Sequence, residues 1–107
     1  MSGKIIVSVD AQIAALVPRF LANRAADVAK IRSALTDGDF ETIRSAAHGM
    51  KGSGGGYGFP EISRLGRAME QSAQQRDAVA IRELVTTLET YLAHVEIIPG
   101  EALPGDG

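Results

Sequence analysis

A histidine followed by a lysine and a glycine at helical spacing has the clearest chemical potential in this sequence. Lys51 and Gly52 come three and four residues after His48, so in a helix all three lie on one side. A neutral imidazole is a good nucleophile near pH 7 because its unperturbed pKa is about 6.5. The Lys51 ammonium would be a flexible positive charge one turn away, and Gly52 would add no bulk. The group suits the approach of something large and negatively charged to the imidazole.

The pattern around His48 predicts that its side chain is exposed. Ile43, Ala47 and Met50 recur at offsets of four and three residues, which is one face of a helix. At about 100° per residue, His48 lies roughly 140° from Ile43. We therefore expect Ala47 and Met50 to be buried and His48 to lie near the middle of a helix on its solvated side.

The glycine-rich run after Lys51 allows two interpretations. A Walker loop requires Gly-Lys followed by Ser or Thr, whereas Lys51 lies between Met50 and Gly52. The run also lacks the third glycine of the G-x-G-x-x-G pattern, and no strand precedes it, so a nucleotide site is not predicted. Each glycine inside a helix costs about 1 kcal/mol relative to alanine. Either the helix ends near Lys51, or residues 52–56 stay helical because another surface approaches closely.

The bulk composition indicates one globular domain. The chain has 107 residues, of which 45% are hydrophobic and 22% charged, and its net charge of −2 provides no basic surface for nucleic acid. It has no cysteine, and no apolar run is long enough for a signal peptide or a membrane span. The two histidines, His48 and His94, have no third ligand at helical spacing, so no metal site is predicted. We expect a cytoplasmic monomer, and the short N-terminus that starts at Met1 favours a free-standing protein over a segment of a larger one.

Capping and terminating residues divide the chain into amphipathic helical segments. Residues 4–9 form a short extended lead-in, and Asp10 is a plausible N-cap. The apolar stripe that follows continues across Pro18, as one kinked helix or two abutting helices. The other predicted boundaries are a C-cap at Gly38, N-caps at Asp39 and Asp77, and a first turn at Pro60. The apolar stripe of the last helix extends from Ile81 to Val95. Short links favour antiparallel neighbours. The predicted fold is all-α: an antiparallel up-down four-helix bundle over residues 1–98, with a short N-terminal helix or extension, followed by a flexible tail at 99–107.

The spaced residues around His48 resemble the signature of the histidine-containing phosphotransfer (HPt) domain family. That signature is a histidine, an aliphatic residue two positions later, Lys-Gly, a small residue, and an apolar-Gly pair. The chain has all of them, in His48, Met50, Lys51-Gly52, Ser53 and Tyr57-Gly58, followed by Leu65-Gly66-x-x-Met69-Glu70. The resemblance extends from Asp10 to Val95, and its specific part is residues 47–70. The chain departs from the family in its glycine content, through Gly54, Gly55 and Gly56.

The resemblance implies a phosphoryl carrier without nucleotide binding or kinase activity of its own. His48 would accept a phosphoryl group from a receiver-domain aspartate and pass it to another receiver. Lys51 would stabilise the phosphohistidine, and Gly52 would leave space for the group and the partner. The partners would be receiver domains of response regulators or hybrid histidine kinases. This chain would need no cofactor, because the Mg²⁺ ion belongs to the receiver.

Two other functions remain open. The chain could be a non-transferring adaptor or inhibitor that binds a receiver or kinase through the same face, although the intact His48 and Lys51 disfavour this. It could also be a metabolic phosphocarrier with partners outside the receiver class.

Several further residues have two interpretations. Arg44, Gly55, Tyr57 and Phe59 are candidates for partner docking, although Arg44 could simply pair with Glu41, and the two aromatic residues could pack in the core. Glu70 and Gln71 could orient the imidazole, but a solvated face is the favoured interpretation. His94, near a helix C-terminus, is predicted to be structural.

Overall fold

The chain is mostly helical, as predicted. A computed structural model describes residues 5–9 and 11–99. Its elements are β1 (Ile5–Val9), α1 (Ala11–Ala14), α2 (Val17–Asp37), α3 (Phe40–Gly56), α4 (Pro60–Gln74), α5 (Ala78–His94) and β2 (Val95–Pro99). The stripe across Pro18 is therefore two abutting helices, with Pro18 in the first turn of α2.

The four longer helices surround one apolar core. Helix α2 packs against α3 and α5, and α4 packs against the same two helices. The largest side chains that are fully buried are predominantly aliphatic: Phe59, Ile31, Ile43, Met50, Ile62, Leu65, Met69, Ile81, Leu88, Val17 and Val85. Each of the four longer helices contributes to this set, so the core fixes α3 relative to its neighbours.

The predicted helix boundaries between α2 and α5 are confirmed. Gly38 ends α2 with φ 69°, the left-handed conformation that glycine adopts without steric penalty. Asp39 and Asp77 begin α3 and α5, where each carboxylate accepts a hydrogen bond of 3.1 Å, from the backbone N–H of Thr42 and of Ala80 respectively. The predicted cap at Asp10 lies outside the described residues.

The glycine-rich run at residues 52–56 is helical, and close packing of α3 against α4 explains why one of its residues is glycine. A Cβ added at Gly54 would lie 2.6 Å from the backbone nitrogen of Ser63 in α4. In the opposite direction, a Cβ at Gly66 would lie 2.7 Å from the backbone nitrogen of Lys51. Glycine at both positions allows the backbones of α3 and α4 to approach closely. At Gly52, by contrast, an added Cβ meets open space.

The two strands were not predicted. They pair in parallel, from Ile5 opposite Val95 to Val9 opposite Pro99. Residues 5–9 agree with the extended lead-in, but Val95 was assigned to the last helical stripe and Pro99 to the flexible tail. Both assignments are wrong, because these residues pair with β1, which lies almost the full chain length away. A local sequence pattern cannot predict such a pairing. Residues 100–107 lie outside the described part, so the tail beyond Pro99 stays a prediction.

Candidate functional site

The close approach of α4 to α3 brings a carboxylate to the histidine. Gly66 packs against the backbone of Ala47 and Lys51, and Glu70 follows it by one helical turn on the same face of α4. One carboxylate oxygen of Glu70, Oε2, lies 2.9 Å from His48 Nδ1. The other, Oε1, lies 2.9 Å from Lys51 Nζ. A hydrogen bond of 2.6 Å from Ser63 Oγ to the Lys51 carbonyl also joins the two helices.

The histidine is exposed while its partner is largely buried. The His48 side chain is 65% exposed and that of Glu70 is 12% exposed. Ala47 and Met50 are buried beneath it, which confirms the predicted orientation of the helix. Within the described residues, His48 Nε2 makes no hydrogen bond, so this nitrogen is available to an incoming group.

The charges of His48, Lys51 and Glu70 determine which ring nitrogen of the histidine carries a proton. Hydrogen bonds from Lys51 and then His48 hold the pKa of Glu70 below its ordinary value, in spite of the opposing effect of burial. Glu70 is therefore ionised at neutral pH and can only accept hydrogen bonds. The hydrogen bond to this carboxylate requires a proton on His48 Nδ1, so in the neutral imidazole the lone pair lies on Nε2. The arrangement can orient the ring and stabilise a positive charge that develops on it.

The other predicted docking residues have different surroundings. Gly55 is exposed, and a Cβ there would meet nothing within 4 Å. The Arg44 guanidinium forms a salt bridge with Glu41, which is the alternative to partner docking that the spacing of these two residues allowed. Tyr57 is half-buried and stacks on Phe20, with ring centroids 4.5 Å apart.

Phe59 cannot belong to an exposed docking surface, because it is fully buried. Helix α3 continues to Gly56, and the turn that follows has Gly58 at φ 87°. This tight reversal directs Phe59 into the core, where its ring centroid lies 5.4 Å from that of Phe20. The aromatic pair at 57 and 59 therefore supports the junction of α3 and α4.

The sequence analysis also predicted the wrong surroundings for Glu70. A solvated face was the favoured interpretation for Glu70 and Gln71, yet only Gln71 is exposed. The available signal was Gly66, whose position one turn earlier marks the face of α4 that touches α3. His94 has different surroundings, since its Nδ1 lies 2.8 Å from the Thr90 carbonyl oxygen in its own helix.

The comparison with protein families decides the identity of the domain. Residues 15–97, which include all four longer helices, match the family model described as Hpt domain. The chain belongs to the Hpt domain family. Hpt domains act in histidine phosphotransfer in two-component signalling, where they interact with receiver domains and kinases. No curated protein and no solved structure matches the chain significantly.

Within residues 5–9 and 11–99, no helix of this Hpt domain combines the length and the apolar character that crossing a membrane requires.

Proposed function

We propose that the chain is a phosphorelay intermediate that carries a phosphoryl group on His48 Nε2 between the aspartates of two receiver domains. The observation that supports this most directly is an exposed imidazole whose Nδ1 is bound to a largely buried carboxylate, 2.9 Å away. This geometry leaves one nitrogen free and orients it before the partner arrives. Two- and three-residue links between successive long helices also support the predicted antiparallel up-down order.

The transfer step needs only groups that the two proteins supply. The Nε2 lone pair attacks the phosphorus of the receiver's aspartyl phosphate, a P–N bond forms, and the P–O bond to the aspartate breaks. The carboxylate leaves with the bonding electrons, and the proton on Nδ1 stays in place. The ring then carries a positive charge, which the Glu70 carboxylate stabilises. The reverse sequence delivers the group to the second receiver, and the metal ion is a component of the receiver.

Lys51 and Gly52 complete the proposed site. The transition state of phosphoryl transfer spreads charge over three oxygens, so nearby positive charge is favourable. The Lys51 side chain is 34% exposed and is bound to Glu70, from which it can turn toward a phosphoryl group. Gly52 adds no atoms beside the imidazole, and open space surrounds the position of its missing Cβ.

The proposal is tested by labelling with a phosphorylated receiver domain. The wild-type chain should acquire an acid-labile phosphate, His48→Gln should acquire none, and both should unfold at the same temperature within error. His94→Gln is the matched control, because it removes the other histidine and should label like the wild type. Binding of the receiver without transfer would support the adaptor function instead. Labelling of His48→Gln would show that another residue is the carrier.

A further inference from the structure

Helix α4 carries an arginine next to the point where it touches α3. Arg67 directly follows Gly66, and a Cβ added at Gly66 would lie 2.9 Å from the Ala47 carbonyl oxygen of α3. Arg67 is exposed, and it forms no hydrogen bond or salt bridge with any described residue. Its charge is therefore available to a group that arrives from solvent.

Arg67 occupies the same position on α4 that His48 occupies on α3. The contact residues of the two helices are Gly66 and Ala47, and Arg67 and His48 each follow their contact residue by one position. Each therefore lies about 100° around its own helix axis from the contact. Successive contacts along α4 fall at progressively earlier residues of α3, so the two helices run in opposite directions. Equal rotations from the contact then turn both side chains toward the same side of the helix pair.

The ion pair that joins the two helices shows the same symmetry. Lys51 and Glu70 each come four positions after their contact residue, which is about 40° around the axis. Their side chains meet, with 2.9 Å between Lys51 Nζ and Glu70 Oε1. His48 and Arg67 lie about 60° further toward solvent. Arg67 is thus the α4 residue that flanks this ion pair on the side where the imidazole is exposed.

The charges nearest to Arg67 are already paired with other groups. Residues three positions apart on a helix, such as Arg67 and Glu70, often form ion pairs. Here one oxygen of Glu70 is bound to the imidazole and the other to the Lys51 ammonium. Arg44, one turn before the histidine, is bound to Glu41. Of these three described cations, only Arg67 has no carboxylate to release before it can bind another anion.

We propose that Arg67 binds oxygens of the phosphoryl group on His48 Nε2 and stabilises the phosphohistidine. This inference rests on the proposed function. A guanidinium presents a planar fork of N–H donors that matches phosphate oxygens, and such charge-assisted hydrogen bonds are short and strong. Packed helices lie about 8–10 Å apart, a distance that an arginine side chain can cross. Arg67 only donates hydrogen bonds, so the P–N bond forms and breaks as in the transfer step.

The test measures the pKa of the phosphoryl group by phosphorus NMR in the full chain. Phosphoramidate, a small donor that needs no receiver, supplies the phosphoryl group. The parent protein carries His94→Gln, which leaves His48 as the only histidine to label. Arg67→Gln removes the charge from this parent, and Arg67→Lys keeps it. The matched control Arg64→Gln makes the same change one turn earlier on α4, where the arginine is bound to Glu61, 2.9 Å away.

We expect the phosphoryl pKa to be about one unit higher in Arg67→Gln than in the parent, because a nearby cation favours the more ionised form. Arg67→Lys should lie between the two, since an ammonium keeps the charge without the planar fork. Arg64→Gln should match the parent. When a receiver domain is added, Arg67→Gln should shift the equilibrium distribution of the phosphoryl group about tenfold toward the receiver.

Equal phosphoryl pKa values in Arg67→Gln and the parent would overturn the contact with Arg67. Equal changes in Arg64→Gln would also overturn it, because they would show an effect of surface charge in general. An unchanged equilibrium with the receiver would overturn the stabilisation of the phosphohistidine. If no receiver exchanges the phosphoryl group with His48, the proposed function is wrong, while the pKa comparison still decides whether Arg67 binds the group. Failure of phosphoramidate to label His48 would refute both proposals.

Discussion

At the residue scale, the chemistry that we propose for this Hpt domain depends on a carboxylate with two partners. Glu70 holds the Nδ1 side of His48 and the ammonium of Lys51 at the same time, with 2.9 Å to each. Because it lies on a different helix from the two residues it binds, it couples their positions to the packing of α3 against α4. A residue that orients the ring in this way should affect the rate of transfer more than it affects folding.

Replacing Glu70 should slow phosphoryl transfer. In Glu70→Ala the ring loses both its orientation and the negative charge opposite the developing imidazolium, and we expect the rate to fall about 10- to 100-fold. Glu70→Gln keeps a hydrogen-bond acceptor for Nδ1–H and should lose less. Single-turnover labelling from a phosphorylated receiver measures both rates, with the exposed neighbour Gln71→Ala as control. A native rate in Glu70→Ala would show that the carboxylate does not position His48.

The same contacts should make stability depend on pH. The pKa of Glu70 is lower in the folded chain than its ordinary value of 4.5. Its contribution to stability is therefore present above that value and is lost as the pH falls through the folded pKa. Urea unfolding between about pH 6 and pH 3 should show the wild type losing more stability than Glu70→Gln. Equal losses of stability in the two proteins would show that the contacts of Glu70 with His48 and Lys51 do not stabilise the fold.

At the element scale, the glycines of α3 and α4 have two different physical roles. Those at 54 and 66 lie where the helices touch, and a Cβ at either position would come within 3 Å of backbone atoms of the other helix. Gly52 and Gly55 face open space. Gly54 and Gly66 allow the helix contact that places Glu70 next to His48. Gly52 and Gly55 leave the surface near the histidine free of side chains.

Alanine substitutions should separate these two roles by the sign of their effect. Gly66→Ala should destabilise the fold by about 1–3 kcal/mol, because rigid backbone must move to admit the methyl group. Gly52→Ala should stabilise it by about 0.5–1 kcal/mol, because α3 is helical there and nothing is displaced. Urea denaturation of the two variants measures both values. A destabilising Gly52→Ala would mean that the backbone at this position is not helical in solution.

At the scale of the whole molecule, the first and last described segments, β1 and β2, meet beside the helices. β1 pairs with β2, and Val9 is buried at 3% exposure near Gly58, in the turn between α3 and α4. An isolated two-stranded sheet is marginally stable in water. The strands therefore depend on packing against the helices, through side chains on one face of β1.

Lysine substitutions on the two faces of β1 should differ strongly. Val9→Lys places a charge against the core and should destabilise the fold by more than about 2 kcal/mol. Ile6→Lys changes a side chain that is 52% exposed and should alter stability by less than about 0.5 kcal/mol. Thermal unfolding of both variants is the measurement. Equal effects of the two substitutions would show that β1 does not pack against the helices in this register.

The sequence by itself determined the features that depend on local pattern. The helical periodicity predicted the exposure of His48 and the burial of Ala47 and Met50. The glycine and aspartate caps predicted where α2 ends and where α3 and α5 begin. These predictions succeed because the direction of a side chain on a helix is set by its spacing from residues only a few positions away. The spacing of His48, Lys51 and Gly52 likewise indicated the family that the whole-chain comparison shows.

Only the tertiary structure decided which residues meet across helices. Whether α3 continued past Lys51, whether Glu70 faced water or His48, and whether Phe59 was a surface or a core residue all depended on the approach of α4. The pairing of β1 with β2 depended on contacts between two segments that lie far apart in the sequence. Such contacts are set by packing between segments distant in sequence, where the absence of one Cβ at Gly66 matters more than any local propensity.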